Sequence, residues 1–177
     1  FAGECMARTR YAFFASKAKA EGYEQISDIF LETAENEKEH AKTFLTLLQN
    51  NGSTVPIKFN VPSYSVSTTL DNLKFAASFE LDEWTNVYPS MAKVAESEGF
   101  PKIASVFRKI ADVEKAHQER YNILAKQVSK YSVYKRQTET SWKCRNCGYI
   151  FKGLEAPYQC PLCGHPRNFF QLKENLE

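Results

Sequence analysis

Two short motifs in the chain combine a glutamate and a histidine at helical spacing. Glu37 is followed three residues later by His40, and Glu114 is followed three residues later by His117. Residues three apart lie on the same face of an α-helix, so each pair can present a carboxylate and an imidazole to one metal ion. Both motifs therefore indicate metal binding.

The residues around these motifs indicate that both pairs face a core. An apolar stripe with alternating steps of four and three runs through each of the two helical segments concerned, and it includes both Glu-x-x-His pairs. The first and third helical segments add five polar residues to their own stripes: Glu4, Tyr11, Glu80, Glu83 and Tyr88. Ionised carboxylates buried without partners cost several kcal/mol each, and metal cations would neutralise them.

This ligand inventory is typical of di-iron carboxylate bundles. Such bundles take one glutamate from each of two helices and Glu-x-x-His from each of the other two, and Glu4 and Glu80 would be the single glutamates. Glu83 is surplus to that set. Because ferric iron favours an extra carboxylate and ferrous iron accepts imidazole, we expect one metal to move between Glu83 and His40 as its oxidation state changes.

Apolar periodicity predicts four long helices and a mainly α fold. The helices are expected at 1–21, 23–49, 68–98 and 100–130. Gly22 and Gly99 mark tight turns, so the helices form two hairpins. The Asn-, Ser- and Thr-rich segment 50–67 is long enough to cross the bundle, which predicts a four-helix bundle with one long crossover.

The two hairpins form an internal repeat. A constant offset of 77 residues relates three pairs of residues: Glu37 with Glu114, His40 with His117, and Tyr11 with Tyr88. Glu4 misses Glu80 by one position, which predicts one inserted residue in the third helix, as in a π-bulge. Tyr11 and Tyr88 are each expected to donate a hydrogen bond to a ligating carboxylate.

Four cysteines near the C-terminus form a second metal motif. Two Cys-x-x-Cys-Gly knuckles are separated by twelve residues and contain Cys144, Cys147, Cys160 and Cys163. Two such knuckles surround one metal with four thiolates, and a domain of this size needs the metal to fold. The spacing does not separate iron from zinc, but a di-iron centre needs an electron supply, which favours iron. We expect a bundle over 1–131, a linker over 132–141 and a cysteine domain over 142–177.

Composition excludes two classes of function. A net charge of +2 is too small and too evenly spread for a nucleic-acid-binding face, and no apolar run is long enough to cross a membrane. Cysteines at metal-binding spacing favour a reducing compartment, so we expect a cytoplasmic protein. The chain opens at Phe1, with no initiator methionine and no helix cap before the helical pattern, so native residues upstream are compatible with the sequence.

In family order, these motifs resemble the rubrerythrins over essentially the whole chain. The resemblance implies a ferritin-like bundle with a rubredoxin-like C-terminal domain, and reduction of hydrogen peroxide to water. It implies that Glu37 and Glu114 bridge two irons and that His40 replaces Glu83 on reduction. A rubredoxin or a nicotinamide-dependent reductase would be the external electron donor. A head-to-tail homodimer, or a higher oligomer, would be the assembly.

Two other functions fit parts of the sequence. One is a ferroxidase or iron-storage protein on a ferritin-like bundle, although Glu83 and the cysteine domain argue against it. The other is a zinc ribbon that binds nucleic acid or protein, with the bundle as a scaffold. Near-neutral charge argues against that alternative.

Overall fold

The computed structural model describes residues 1–48, 54, 56–58, 60–61 and 63–173. Its helices are α1 (Ala2–Ala20), α2 (Glu24–Leu48), α3 (Thr69–Asp82), a π-helical turn (Glu83–Val87), α4 (Tyr88–Ser97) and α5 (Pro101–Ser129). The π turn joins α3 to α4 without a break, so the three together form the third long helix. The predicted mainly α four-helix fold is confirmed, and the helix ends agree with the prediction to within one residue.

Glycine ends α1 and α4 in the same way. Gly22 and Gly99 have φ values of +81° and +83°, a backbone region that other residues rarely adopt. After each glycine, the next amide donates to the carbonyl five residues earlier, at 2.9 and 2.8 Å. The two hairpins therefore turn by the same motif, as the internal repeat predicts.

The bundle core lies between these hairpins. α1 packs against α2, while α5 packs against both α3 and α4. Large buried side chains fill the end near the α1–α2 turn: Tyr11, Phe14, Phe30, Leu73 and Tyr121. Much of the predicted crossover 50–67 lies outside the described residues. Within the described residues, no helix has the length and apolarity needed to cross a membrane.

The π turn accounts for the inserted residue that the repeat predicts. Seven positions separate Glu4 from Tyr11, whereas eight separate Glu80 from Tyr88. A π turn accommodates one additional residue without breaking the helix. Because of this turn, Glu80, Glu83 and Tyr88 are all buried on the inner side of the third helix.

The C-terminal part is a small antiparallel sheet. Its strands are β1 (Lys135–Cys144), β2 (Ile150–Glu155) and β3 (Phe170–Leu172), in the order β2-β1-β3. Trp142, in the central strand, is completely buried and pairs with a residue of each neighbouring strand.

Strand β1 takes up residues that the sequence analysis assigned to the linker 132–141. Lys135 stands opposite Glu155 of β2, and their side chains form an ion pair of 2.7 Å. A polar stretch of this kind gains its strand structure from cross-strand partners rather than from an apolar pattern. Periodicity alone could not reveal it.

The cysteine module contacts the bundle at the α1–α2 turn. The Arg145 guanidinium pairs with the Asp28 carboxylate of α2, and the Tyr134 hydroxyl donates to the Gly22 carbonyl at 2.9 Å. Nine residues of helix separate Asp28 from Glu37, which corresponds to about 14 Å along the axis. These contacts fix the position of the cysteine domain relative to the Glu-x-x-His motif of α2.

Deletion of Thr85 tests the role of the π turn. Thr85 is exposed, and its removal leaves seven positions between Glu80 and the tyrosine, the spacing that Glu4 and Tyr11 have in the regular helix α1. Because seven residues make about two full turns, the third helix should close into a regular α-helix that keeps both side chains on its inner face. We expect two metals per chain to be retained, measured by metal analysis. Insertion of one alanine after Thr85 should instead rotate α4 by about 100° relative to α3, move Tyr88 out of its buried place and lower both the thermal midpoint and the metal content; loss of metal in the deletion variant would contradict the prediction.

Candidate metal centres

Two groups of ligand atoms lie side by side in the bundle. Within each group all ligand atoms are within 4.8 Å of one another. The first group consists of Glu4, Glu37, His40 and Glu114, and the second of Glu37, Glu80, Glu114 and His117. Because Glu37 and Glu114 belong to both groups, the arrangement fits two neighbouring metals that share two carboxylates.

The two shared glutamates offer a different oxygen to each position. His40 Nδ1 is 3.0 Å from Glu37 Oε2 and 3.0 Å from Glu114 Oε1. His117 Nδ1 is 3.3 Å from Glu37 Oε1 and 2.7 Å from Glu114 Oε2. One oxygen of each carboxylate therefore faces each histidine, which is the geometry that a bridging carboxylate needs.

Buried oxygens without partners support the fit to metal. Glu4, Glu80 and Glu83 are at most 7% exposed. Within the described part of the chain, the Oε2 atom of each has no hydrogen-bond partner. Buried carboxylate oxygens are normally hydrogen-bonded or bound to a cation, and cations placed here would satisfy them. The carboxylate and histidine groups therefore fit a di-iron site.

Two buried tyrosines contact the single glutamates. The Tyr11 hydroxyl donates to Glu80 Oε1, and the Tyr88 hydroxyl donates to Glu4 Oε1. Each bond crosses between the two hairpins, because Tyr11 lies on α1 and Tyr88 on α4. One oxygen of each glutamate is thereby held, while the other remains free for a cation.

Glu83 lies beside the first group of ligand atoms but is not a member of it. Together with Glu4 and Tyr88 it lines a pocket of about 350 Å³, whose other walls are mainly apolar. The nearby Glu4 charge adds to the effect of burial in raising the pKa of Glu83. His40 belongs to the first group of ligand atoms, and Glu83 shares a pocket with Glu4 of that group.

Asn36 is a contact of the site that the sequence analysis missed. Its Oδ1 is 3.2 Å from His117 Nε2. Because an amide oxygen only accepts, Nε2 carries the proton and Nδ1 is left to face the two shared glutamates. The only available signal was the position of Asn36 immediately before Glu37, which by itself does not indicate such a contact.

Without metal, protons take the place of cations at the site. Burial raises the pKa of Glu4 to about 8 and that of Glu83 to about 9. Burial opposes protonation of the histidines, but hydrogen bonds to Glu114 and Glu37 outweigh it and raise the pKa of His40 to about 10 and of His117 to about 9. Metal ions must displace these protons to bind.

The four cysteines form a compact cluster at the end of the sheet. Cys144 Sγ is 3.8 Å from Cys163 Sγ, and Cys147 Sγ is 3.6 Å from Cys160 Sγ. Sulfurs bound tetrahedrally at about 2.3 Å from one ion stand about 3.8 Å apart. A hydrogen bond from the His165 amide lowers the pKa of Cys163 to about 6, which favours the thiolate. The cluster fits a rubredoxin-like iron site.

The raised pKa values predict that the metal-free protein loses stability as the pH rises. A group with a pKa above its unfolded value holds more protons when folded, so its stabilising contribution disappears as the pH rises through the folded pKa. For Glu4 and Glu83 the window runs from about 4.5 to about 8–9. For the two histidines it runs from 6.5 to about 9–10.

We therefore expect the thermal midpoint of metal-free protein to fall steadily between pH 5 and pH 9. Ferrous iron should flatten this dependence and release protons into a weakly buffered solution. Scanning calorimetry and a pH indicator measure the two effects. Glu83→Gln removes one titrating group and should reduce the slope; a midpoint that rises with pH in metal-free protein would contradict the assignment.

Comparisons with known proteins identify the family. The rubrerythrin family model matches residues 1–125, and the model for the rubredoxin-like domain of rubrerythrin matches residues 142–171. Rubrerythrin of Clostridium perfringens is 53% identical over 97% of this chain and 89% of its own length. Rubrerythrin of Porphyromonas gingivalis is 50% identical over 99% of this chain and 87% of its own length. The structure of fully reduced, all-ferrous nigerythrin matches with a TM-score of 0.63 and 31% identity over 97% of this chain and 82% of that one. The resemblance predicted from the motifs is confirmed, and the chain belongs to the rubrerythrin family.

Proposed function

We propose that this protein is a non-haem peroxidase that reduces hydrogen peroxide to water. One peroxide, two electrons and two protons give two water molecules. Two ferrous ions bound in the bundle would supply the two electrons. The iron assignment is supported by the all-ferrous state in which nigerythrin has been solved.

The observation that carries this proposal is the position of Glu83. The six residues of the two ligand groups would suffice to hold two metals, so an additional buried carboxylate is not needed for binding. Glu83 lines a pocket with Glu4, which belongs with His40 to the first group of ligand atoms. A carboxylate and an imidazole that can alternate at one metal suit a site that cycles between two oxidation states.

The pocket beside Glu83 suits a small peroxide. It gives access to Glu4, Glu83 and Tyr88, while its apolar walls limit the water that reaches them. The Tyr88 hydroxyl donates to Glu4 Oε1 and would hold that carboxylate in the orientation that metal binding needs. Tyr11 donates in the same way to Glu80 Oε1.

The cysteine domain supplies the electrons in this proposal. Iron held by the four cysteine thiolates would exchange one electron at a time, so two electron transfers would restore the bundle site after each turnover. An external donor, a rubredoxin or a nicotinamide-dependent reductase, would reduce the cysteine site. The proposal includes a homodimer or higher oligomer as the assembly and the cytoplasm as the location, because the metal-spaced cysteines favour a reducing compartment.

Glu83→Ala tests the bundle chemistry. Protein reduced without air and mixed with stoichiometric peroxide should be reoxidised on the order of a hundredfold more slowly in this variant, because the ferric state loses a ligand. Stopped-flow absorbance measures the rate. Asp82→Ala removes the adjacent exposed carboxylate and is the control.

Equal reoxidation rates in Glu83→Ala and Asp82→Ala would show that Glu83 takes no part in the reaction. An inert wild-type protein that instead accumulates many irons per chain in air would favour iron storage. The experiment therefore separates the peroxidase from its ferritin-like alternative.

Replacing the cysteine-bound iron with zinc tests the electron supply. Zinc keeps the tetrahedral site and the fold but has no one-electron couple. Because zinc cannot carry electrons, we expect donor-dependent peroxide turnover to be lost, while a single reoxidation of pre-reduced bundle iron keeps its rate. Cys160→Ser should act similarly, and Cys5→Ser, which changes a cysteine outside the cluster, should not. Unchanged turnover with zinc would show that donors reach the bundle site directly.

A further inference from the structure

The two site histidines have unequal surroundings although they are equivalent in the repeat. His117 Nε2 contacts Asn36 Oδ1 at 3.2 Å, and its side chain is 5% exposed. The His40 side chain is 13% exposed. Within the described residues, its contacts are made through Nδ1, and Nε2 has no hydrogen-bond partner.

The internal repeat explains this difference. The offset of 77 residues that relates His40 to His117 also relates Asn36 to Val113, and each of these two residues directly precedes a shared glutamate. An amide at position 113 would face His40 as Asn36 faces His117. Valine has no acceptor, so the second half of the repeat cannot form the equivalent bond.

We propose that Asn36 is a positioning residue that keeps His117 on its metal, and that Val113 leaves His40 free to move. The inference rests on the proposed function, because it concerns which histidine exchanges with a carboxylate. A hydrogen bond from Nε2–H to the Asn36 oxygen fixes the ring orientation and keeps Nδ1 directed at the metal.

Two independent departures from the repeat meet at one metal position. The surplus Glu83, at the start of the π turn, lines one pocket with Glu4, which belongs with His40 to the first group of ligand atoms. Val113 removes the hydrogen bond that would restrain that same histidine. His40 can therefore rotate away by giving up its metal bond alone, whereas His117 would also have to break its bond to Asn36.

Zinc-loaded protein allows a test that does not depend on redox chemistry. Zinc is diamagnetic, so NMR of ¹⁵N-histidine-labelled protein can follow the exchange of each Nε2 proton with water. In wild type we expect slow exchange at His117 and fast exchange at His40. Asn36→Val should lose the protected proton and weaken binding at the second position roughly tenfold, whereas Asn36→Asp, which retains an acceptor, should keep both.

Val113→Asn tests the second half of the inference. Position 113 is 37% exposed, so asparagine fits there without disturbing the core. The variant should gain a second protected Nε2 proton, at His40. Its pre-reduced iron form should be reoxidised by peroxide roughly tenfold more slowly, because His40 is now restrained. Val113→Thr places a shorter polar side chain there and serves as the control for polarity.

The outcomes separate this inference from the peroxidase proposal. Protection at His117 in wild type, lost in Asn36→Val, supports the positioning role even if the iron protein is inert to peroxide. A protected proton that survives Asn36→Val would overturn that role. Two results for Val113→Asn would contradict the role of Val113. One is that the variant gains no protected proton at His40, and the other is that it gains this proton but is reoxidised as fast as wild type.

Discussion

The burial of five carboxylates in one helical bundle is the constraint on which the rest of the structure depends. Each glutamate is almost completely enclosed, and together they would repel one another if all were ionised without cations. Protons relieve the repulsion in the metal-free protein, and two metals relieve it in the loaded protein. The same carboxylate oxygens bind either protons or metals, so protonation, metal binding and folding are linked in this bundle.

That constraint also explains why the third helix departs from regular geometry. In a regular α-helix of this sequence, Glu80 and Tyr88 would be eight residues apart and could not both lie on the inner face in their present positions. The π turn lets Glu80 reach its ligand group and lets Tyr88 reach Glu4 from the other hairpin. Glu83, three residues after Glu80, lies on the same face at the start of the turn. The backbone irregularity thus keeps all three side chains on the inner side of the third helix.

Much of this could be predicted from sequence because the signals are periodic or have fixed spacing. Helical stripes gave the four helices, and the interrupted offset of 77 between the hairpins predicted the π turn. Contacts between distant side chains have no such signal. Asn36 lies beside His117 only because α2 and α5 are neighbours, and the pairing of Lys135 with Glu155 appears only when β1 and β2 meet. The docking of Arg145 on Asp28 likewise depends on the placement of one domain on the other.

A symmetric repeat alone would build a less useful site. Two equal halves give two metal positions with identical ligands and two carboxylates shared between them, so both metals would respond alike to a change in oxidation state. A two-electron reaction benefits from keeping the shared carboxylates and one histidine fixed while one position changes its ligand, because the pair then stays assembled as its geometry changes. In this chain the asymmetry comes from the additional carboxylate of Glu83 and from the valine at position 113, where the other half of the repeat has Asn36. Both differences affect the metal position of His40. We therefore expect the ligand exchange that accompanies oxidation and reduction at His40 rather than at His117.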